Sequence, residues 1–324
     1  MREIGGYFEL ETFHGTQYHK NAIALNCGRG CIRYLAELRR IKKIWIPDYI
    51  CDSVPNTFRK SGAEVKTYEI NKSFLPVYNF EVKDDEWMLL NDYYGQLKEN
   101  DIAYAKDFSK SRLICDENQG FFRRPHEGVD TFYSCRKWFG VADGGFLITG
   151  DGARLDRELP KDKSHNRMSF VLGRYEASAQ EFYREATKNN AFFDEEPSKQ
   201  MSMITENLLR AIDYDAVMKR RKEHWDYLDN EFCSINQLKL HKPYVSFMYP
   251  LLLKSGYDAC DIRKKLAEKG IYIPLLWPCV SDKTDEKSFA NKYAKNILPL
   301  PVDQRYLVKD MNAMITEIKK IIEN

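Results

Sequence analysis

The chain has 324 residues, 43% of them hydrophobic and 30% charged, which suits one large domain with a smaller one and excludes wholesale disorder. Its 50 basic and 48 acidic side chains leave a net charge of +2, too close to balance for a dedicated nucleic-acid binder. The start, Met-Arg-Glu-Ile-Gly-Gly, has no apolar signal core, no run approaches the roughly 18 apolar residues of a membrane span, and the eight cysteines form neither a C-x-x-C pair nor a zinc pattern, so the expectation is a cytoplasmic protein with reduced thiols and no metal site.

Residues 1–20 are polar and aromatic without a clear period and read as an arm or loop. Ala22-Ile-Ala-Leu-Asn26 is a short apolar run, Cys27-Gly-Arg-Gly30 a turn, and Ile32, Leu35, Ala36 and Leu38 have helical spacing. Lys43–Ile46 reads as a second strand, Ser53–Lys60 as a helix stopped near Gly62, and Glu64–Ile70 as a third strand. Further strands are expected at Trp87–Asn91, Arg112–Cys115, Thr131–Ser134 and Phe146–Thr149. Strands alternating with helical segments indicate an α/β fold: three layers around a mostly parallel central sheet, with ligands at the carboxyl ends of the strands. Asn26, Asn91, Asp92 and Asp116 all stand at such ends.

Residues 161–190 read as helical with sparse apolar positions, and Ser202 to Tyr227 as one longer helix whose basic run, Lys219–Lys222, is expected to be a solvated face. Near residue 230 the pattern changes to strand (Val245–Leu253), helix (Ala259–Lys269), strand (Tyr272–Leu276) and final helix (Asp310–Ile322). The expected organisation is a large domain over residues 1–230 and a small C-terminal α+β domain over 231–324.

Three features then stand in chain order. Asn26-Cys-Gly-Arg-Gly30 precedes a helix, so its backbone N–H groups and the helix N-terminus can receive an anion. It lacks the Gly-Lys-Ser/Thr of a P-loop and the third glycine of a dinucleotide fingerprint. Asp116-Glu-Asn-Gln119 follows a strand, where a buried carboxylate can hold a cation. Ser134-x-x-Lys137 sits between two apolar runs and ahead of Gly144-Gly145. A phosphate cradle, a strand-end aspartate and a following lysine are what a pyridoxal 5'-phosphate (PLP) enzyme needs: the amine bonds to the cofactor aldehyde and the carboxylate keeps the ring nitrogen protonated.

In that order and spacing the chain resembles the DegT/DnrJ/StrS family of PLP-dependent sugar aminotransferases, of the aspartate-aminotransferase-like fold type I. Leu25-Asn-Cys-Gly-Arg-Gly30 is similar to its phosphate loop, Asn91-Asp-Tyr-Tyr-Gly-Gln96 to its V-H-x-Y-G-Q segment, and Cys115-Asp-Glu-Asn-Gln119 to its E-D-A-A-Q motif. Ser134 to Gly145 resembles its lysine loop, Gln200-Met-Ser202 its Y-R-M-S helix start, and Leu298-Pro-Leu-Pro301 its C-terminal end. The resemblance implies that Lys137 is the catalytic, cofactor-bonding lysine. It implies that Asp116 meets the ring nitrogen, that Gln119 meets the ring oxygen, and that Ser134 and Cys27, Gly28, Arg29 and Gly30 hold the phosphate. Cys51 stands where the family has a ring-stacking aromatic, which leaves Tyr49, Tyr93 or Tyr94 to cover the ring, or leaves it uncovered.

The resemblance further implies a homodimer with active sites at the interface, the Met201-Ser202 region reaching toward the partner's cofactor. It implies an amino-acid donor, glutamate being the expected one, and a keto-sugar acceptor, expected to be nucleotide-linked, in surface-polysaccharide or amino-sugar biosynthesis. Arg123, Arg124 and His126 are open between a solvated loop and contacts to the carrier's phosphates, Arg136 between a surface arginine and a phosphate or substrate ligand, and Trp277 between a structural tryptophan and a wall of the substrate site. Two other readings stand beside transamination: a PLP lyase or dehydratase acting on a sugar, and a PLP-fold protein that binds without turnover.

Overall fold

Alternating strands and helices build the first half of the chain: β1 (Ile23–Leu25), α1 (Gly28–Leu38), β2 (Lys43–Pro47), α2 (Ser53–Lys60), β3 (Glu64–Tyr68), β4 (Glu86–Asn91), α3 (Glu99–Phe108), β5 (Leu113–Asp116), β6 (Asp130–Ser134) and β7 (Gly145–Ile148). The structure is a computed structural model that describes residues 4–323, so the first three residues of the expected arm lie outside the described residues. The seven strands form one sheet in the order β1-β7-β6-β5-β4-β2-β3. Strands β3, β2, β4, β5 and β6 run parallel, while β7 is antiparallel to both β6 and β1. The expected three-layer, mostly parallel α/β architecture is therefore present.

Period-two alternation along these strands divides their side chains between two cores. Ile44, Ile46, Leu89, Ile114, Phe132 and Leu147 join the cluster that contains Ile32 and Leu35 of α1 and Val54 and Phe58 of α2. Met88, Leu90, Leu113 and Cys115 join a cluster on the opposite face with Ile102 and Ala105 of α3. Strands β5 and β6 are buried at every position, as central parallel strands covered on both faces must be. Parallel register sets Asn91, Asp116 and Phe132 side by side at the carboxyl edge of the sheet.

The second half contains α4 (Ser169–Glu176), α5 (Tyr183–Phe192), α6 (Met203–Arg210), α7 (Tyr214–Phe232), β8 (Met248–Leu252), α8 (Ala259–Glu268), α9 (Val280–Lys283), α10 (Phe289–Asn296), β9 (Ile297–Pro301) and α11 (Val308–Glu323). Strands β8 and β9 pair antiparallel as a second small sheet. Trp225, Leu228 and Phe232 of α7 pack with Tyr249, Leu251, Ile262, Leu298, Leu300, Met311 and Ile315 in one cluster.

Four expectations are corrected. Residues 161–190 are not one helix: a 3₁₀ turn, α4 and α5 follow each other, and the α4–α5 break is held by Ser178 and Glu181, which exchange hydrogen bonds. The stretch from Ser202 to Tyr227 is two helices, because it contains two N-caps: Ser202 accepts the Thr205 N–H and Asp213 the Ala216 N–H. The Lys219–Lys222 run is not wholly solvated, since Arg221 is buried, its guanidinium lying 4.2 Å from the Trp138 ring centroid and donating to Gln304 and to the carbonyls of Ser246 and Phe247. Tyr272–Leu276 is an irregular connection rather than a strand; the partner of β8 is β9, whose two prolines are tolerated in a two-stranded sheet where both strands are edges.

Candidate active site

The lysine turn is built by what surrounds it. Strand β6 ends at Ser134, and Cys135–Lys137 form a single 3₁₀ turn closed by the Trp138 N–H on the Cys135 carbonyl. Trp138 is buried and its indole Nε1 donates to the Asn118 carbonyl at 2.9 Å, tying the lysine turn to the loop after Asp116. On the other side the Gly144 N–H donates to the Asn26 carbonyl at 2.6 Å. Gly144 has φ +114, and a Cβ on Gly145 would lie 2.7 Å from the Cys27 carbonyl carbon, so this glycine pair lets the lysine loop pass directly beneath the N-terminus of α1. Asp143 anchors the same loop: its carboxylate accepts the Ser202 N–H at 2.7 Å, the Ser202 hydroxyl at 2.7 Å and the Thr205 hydroxyl.

These elements meet around a cavity of about 310 Å³ lined by residues of β1–α1, α2, β4, β5, β6, α5 and the segment before α9. Of the site residues expected from the sequence, Cys27, Gly28, Arg29, Asp116, Ser134 and Lys137 line it. Gly30 lies one residue deeper in α1, its N–H donated to the Cys27 sulfur at 3.2 Å. Gln119 is buried behind the cavity, its Oε1 accepting the Tyr94 N–H at 2.8 Å. Lys137 itself is exposed.

Asp116 is buried at the end of β5 and accepts the Asn118 N–H at 2.9 Å. Burial pushes its carboxyl up to about 6, while the Lys137 ammonium and the Asn118 N–H pull the other way. Two further buried polar atoms, Asn91 Nδ2 and Asn118 Oδ1, belong to residues that line the cavity and have no partner within the protein. A site with a buried carboxylate, an amine and unmatched amide groups is built for a polar, charged guest.

Several residues were not foreseen or are placed differently. Arg136 and Trp277 line the cavity, as do Asn190 of α5, Cys51 and Ser53. Trp277 is the aromatic among the lining residues; Tyr49, Tyr93 and Tyr94 are buried in the apolar cluster behind it, with the Tyr49 ring edge-on to Trp277 at 4.7 Å. Trp277 holds φ +53, a conformation a bulky residue keeps only when its surroundings enforce it. Arg123 does not reach out for a carrier: it donates to Asp92, Glu99 and the Leu97 carbonyl, while His126 bonds Glu117 at 2.8 Å. Met201 and Ser202 are buried, and the Ser202 hydroxyl donates to Asp143. Asn190 carried no signal in the sequence, because it reaches the site from a polar helix more than fifty residues from Lys137.

Among the described residues no group of three or more His, Cys, Asp and Glu is placed to hold a metal ion, and no helix is long and apolar enough to cross a membrane.

No family model matches the chain, and no curated protein matches it in sequence. Solved structures do match in fold. NtdA from Bacillus subtilis with bound cofactor PMP superimposes with a TM-score of 0.66 at 14% identity, over 94% of this chain and 73% of that one. PseC from Helicobacter pylori, an aminotransferase involved in the biosynthesis of pseudoaminic acid, gives 0.64 at 14% identity over 93% and 86%. A DegT DnrJ EryC1 StrS aminotransferase from Brucella abortus gives 0.59 at 12% over 93% and 85%. The chain has the fold of these aminotransferases along nearly its whole length, as the order of its motifs implied.

Proposed function

We propose that the chain is a PLP-dependent aminotransferase that moves an amino group from an amino acid, glutamate by expectation, to a keto sugar. The observation that carries this reading is the meeting of Asp116 and Lys137 in one cavity, at the carboxyl edge of the sheet and under the N-terminus of α1. The PMP-bound NtdA, with PMP the amine form of the same cofactor, and PseC, an aminotransferase of pseudoaminic acid biosynthesis, support it by analogy of fold.

The residues present fit the cofactor. Asp116, ionised above about 6, would keep the ring nitrogen protonated. Cys27, Gly28 and Arg29 at the start of α1 and the Ser134 hydroxyl would hold the phosphate, the helix dipole favouring the anion. Gln119 is proposed for the ring hydroxyl and Gly30 for the phosphate loop, as the motifs imply. When bound, PLP supplies an aldehyde that takes up the amino group and a protonated ring that draws electrons from the adjoining carbon. Lys137, opening onto the cavity, takes the proton from the amino-bearing carbon of the donor and returns it during the second half of the exchange. Trp277 supplies the aromatic part of the cavity wall.

The same reading includes a homodimer with active sites at the interface, a nucleotide-linked acceptor and a cytoplasmic location. Exposed apolar side chains on the arm (Tyr7, Phe8, Leu10) and on α4–α6 (Leu172, Tyr175, Tyr183, Met203) support a surface that a second copy covers. It also includes the division near residue 230, with Trp277 the contribution of the smaller domain to the cavity.

Purified protein should show the visible absorption band of bound PLP, and glutamate should convert it to the band of the amine form. Lys137→Ala should abolish the conversion. A protein that takes up no PLP contradicts the reading; a band unmoved by every amino donor points to the lyase or binding-only alternatives.

A further inference from the structure

Three guanidinium groups surround one phenylalanine at the rim of the cavity. Arg29, Arg136 and Arg167 lie 5.9, 4.7 and 5.1 Å from the Phe193 ring centroid. Phe193 is fully buried at the end of α5, and Asn189 of that helix donates to the Ala142 carbonyl at 2.8 Å, which docks the helix on the lysine loop. Three like charges in so small a space need partners.

Two of them have partners. Arg29 pairs with Asp194 and donates to Asn190 Oδ1 at 2.6 Å. Arg167 pairs with Asp162 at 2.7 Å and donates to Asn189. Arg136 has no carboxylate partner among the described residues. Its one hydrogen bond is a long 3.4 Å contact to Asn190 Oδ1, already shared with Arg29, and its Nε is shut off from solvent without an acceptor. Asp143 lies within electrostatic reach but spends its carboxylate on Ser202 and Thr205. Burial pushes the Arg136 guanidinium down to about 10, and Arg29 and Arg167 push the same way against Cys27 and Asp143. A guanidinium does not give up its proton at neutral pH, so this strain registers as an unmet demand for negative charge.

We infer that Arg136 is an oxyanion-binding residue of this cavity, its fork held by the Phe193 ring and Asn190 so that it receives a phosphate or carboxylate group beside Lys137 and Ser134. A planar fork stacked on an aromatic ring is preorganised for a two-oxygen acceptor, and the same oxyanion would draw on Arg29 next to it. The cation–π contact orients the group without neutralising it. The inference rests on the proposed function only for which oxyanion enters: the phosphate of the cofactor or an anionic group of the substrate.

Titration of cofactor-stripped wild type, Arg136→Lys and Arg136→Gln with PLP, with pyridoxal lacking the phosphate, and with inorganic phosphate separates the two sources; circular dichroism checks that each variant folds. If Arg136 holds the cofactor phosphate, Arg136→Gln weakens PLP and inorganic phosphate roughly ten- to hundred-fold and leaves pyridoxal unchanged. If it holds the substrate, PLP binding is unchanged and the affinity of the PLP-loaded protein for glutamate falls by a similar factor. In either case Arg136→Lys recovers part of the loss, since charge remains and the fork does not. Equal affinities of wild type and Arg136→Gln for all these ligands overturn the inference while leaving the cofactor reading intact. Phosphate binding that depends on Arg136 in a protein that takes up no PLP would uphold the inference and sink the cofactor reading.

Discussion

The Trp138 indole donates to the Asn118 carbonyl at 2.9 Å, and this bond joins the two loops that carry Lys137 and Asp116. Trp138 and Asn118 are both buried, so neither group can turn to water if the other is lost. Trp138→Phe keeps a ring in the pocket but leaves the carbonyl without its donor. We expect a loss of about 1–3 kcal/mol in denaturant unfolding, together with weaker PLP uptake because the lysine turn is no longer pinned to the aspartate loop. Unchanged stability and uptake would mean that the link is incidental.

At Gly145 the lysine loop runs against the turn at Cys27. A methyl group there would lie 2.7 Å from the Cys27 carbonyl carbon and 2.9 Å from its oxygen, both backbone atoms that cannot step aside alone. Gly145→Ala should cost about 1–3 kcal/mol and impair PLP binding by prising β7 from the start of α1. Gly152→Ala, at a surface turn with open space around it but with φ +76, should cost stability through backbone strain and yet leave PLP binding unchanged.

Asp92 and Glu117 are buried together on the opposite face of the same strand ends. Burial raises both carboxyls above their ordinary range, with Arg123 opposing. A carboxyl whose folded pKa lies above its unfolded value binds more protons in the folded state. Its contribution is therefore complete below about pH 4, the unfolded range, and is lost as pH rises through the raised values, about 7 for Glu117 and about 8 for Asp92. Unfolding midpoints measured at successive pH values should fall between mildly acidic and mildly alkaline conditions. Asp92→Asn, whose amide oxygen can still accept the Leu97 N–H, should flatten that fall; an identical slope in the variant would show that the pair does not govern it.

Much of the sheet was legible because its strands are short apolar runs that stop at polar residues, and because parallel strands must expose their carboxyl ends. Helix α3 buries only Ile102 and Ala105 of its ten residues, too thin a stripe to give a helical period in the sequence. Strand β9 was hidden by Pro299 and Pro301, which argue against a strand everywhere except at an edge. Asp116, Lys137 and the turn at Cys27–Arg29 stood out only together, by their chain order and the family resemblance, and the fold brings them to one cavity. Arg136's isolation was not legible, since it depends on Phe193 and Asn190, brought in by a helix with no apolar pattern, and on Asp143 being engaged by Ser202 and Thr205.

Trp277 supplies the aromatic wall that Cys51 does not. The chain has five tryptophans, and Trp277 is the one that lines the cavity. Adding PLP should quench part of the intrinsic fluorescence, and Trp277→Phe should remove most of that part while the protein still folds. Quenching that persists undiminished in the variant would place the cofactor away from this wall.

Lys137 is proposed as the lysine that bonds the cofactor. Borohydride reduction of the PLP-loaded protein, followed by proteolysis and peptide mass spectrometry, reports that bond directly. A single pyridoxyl-modified lysine, Lys137, is expected, with no stable adduct in Lys137→Ala. Modification of a different lysine, or scattered labelling that Lys137→Ala leaves unchanged, would contradict it.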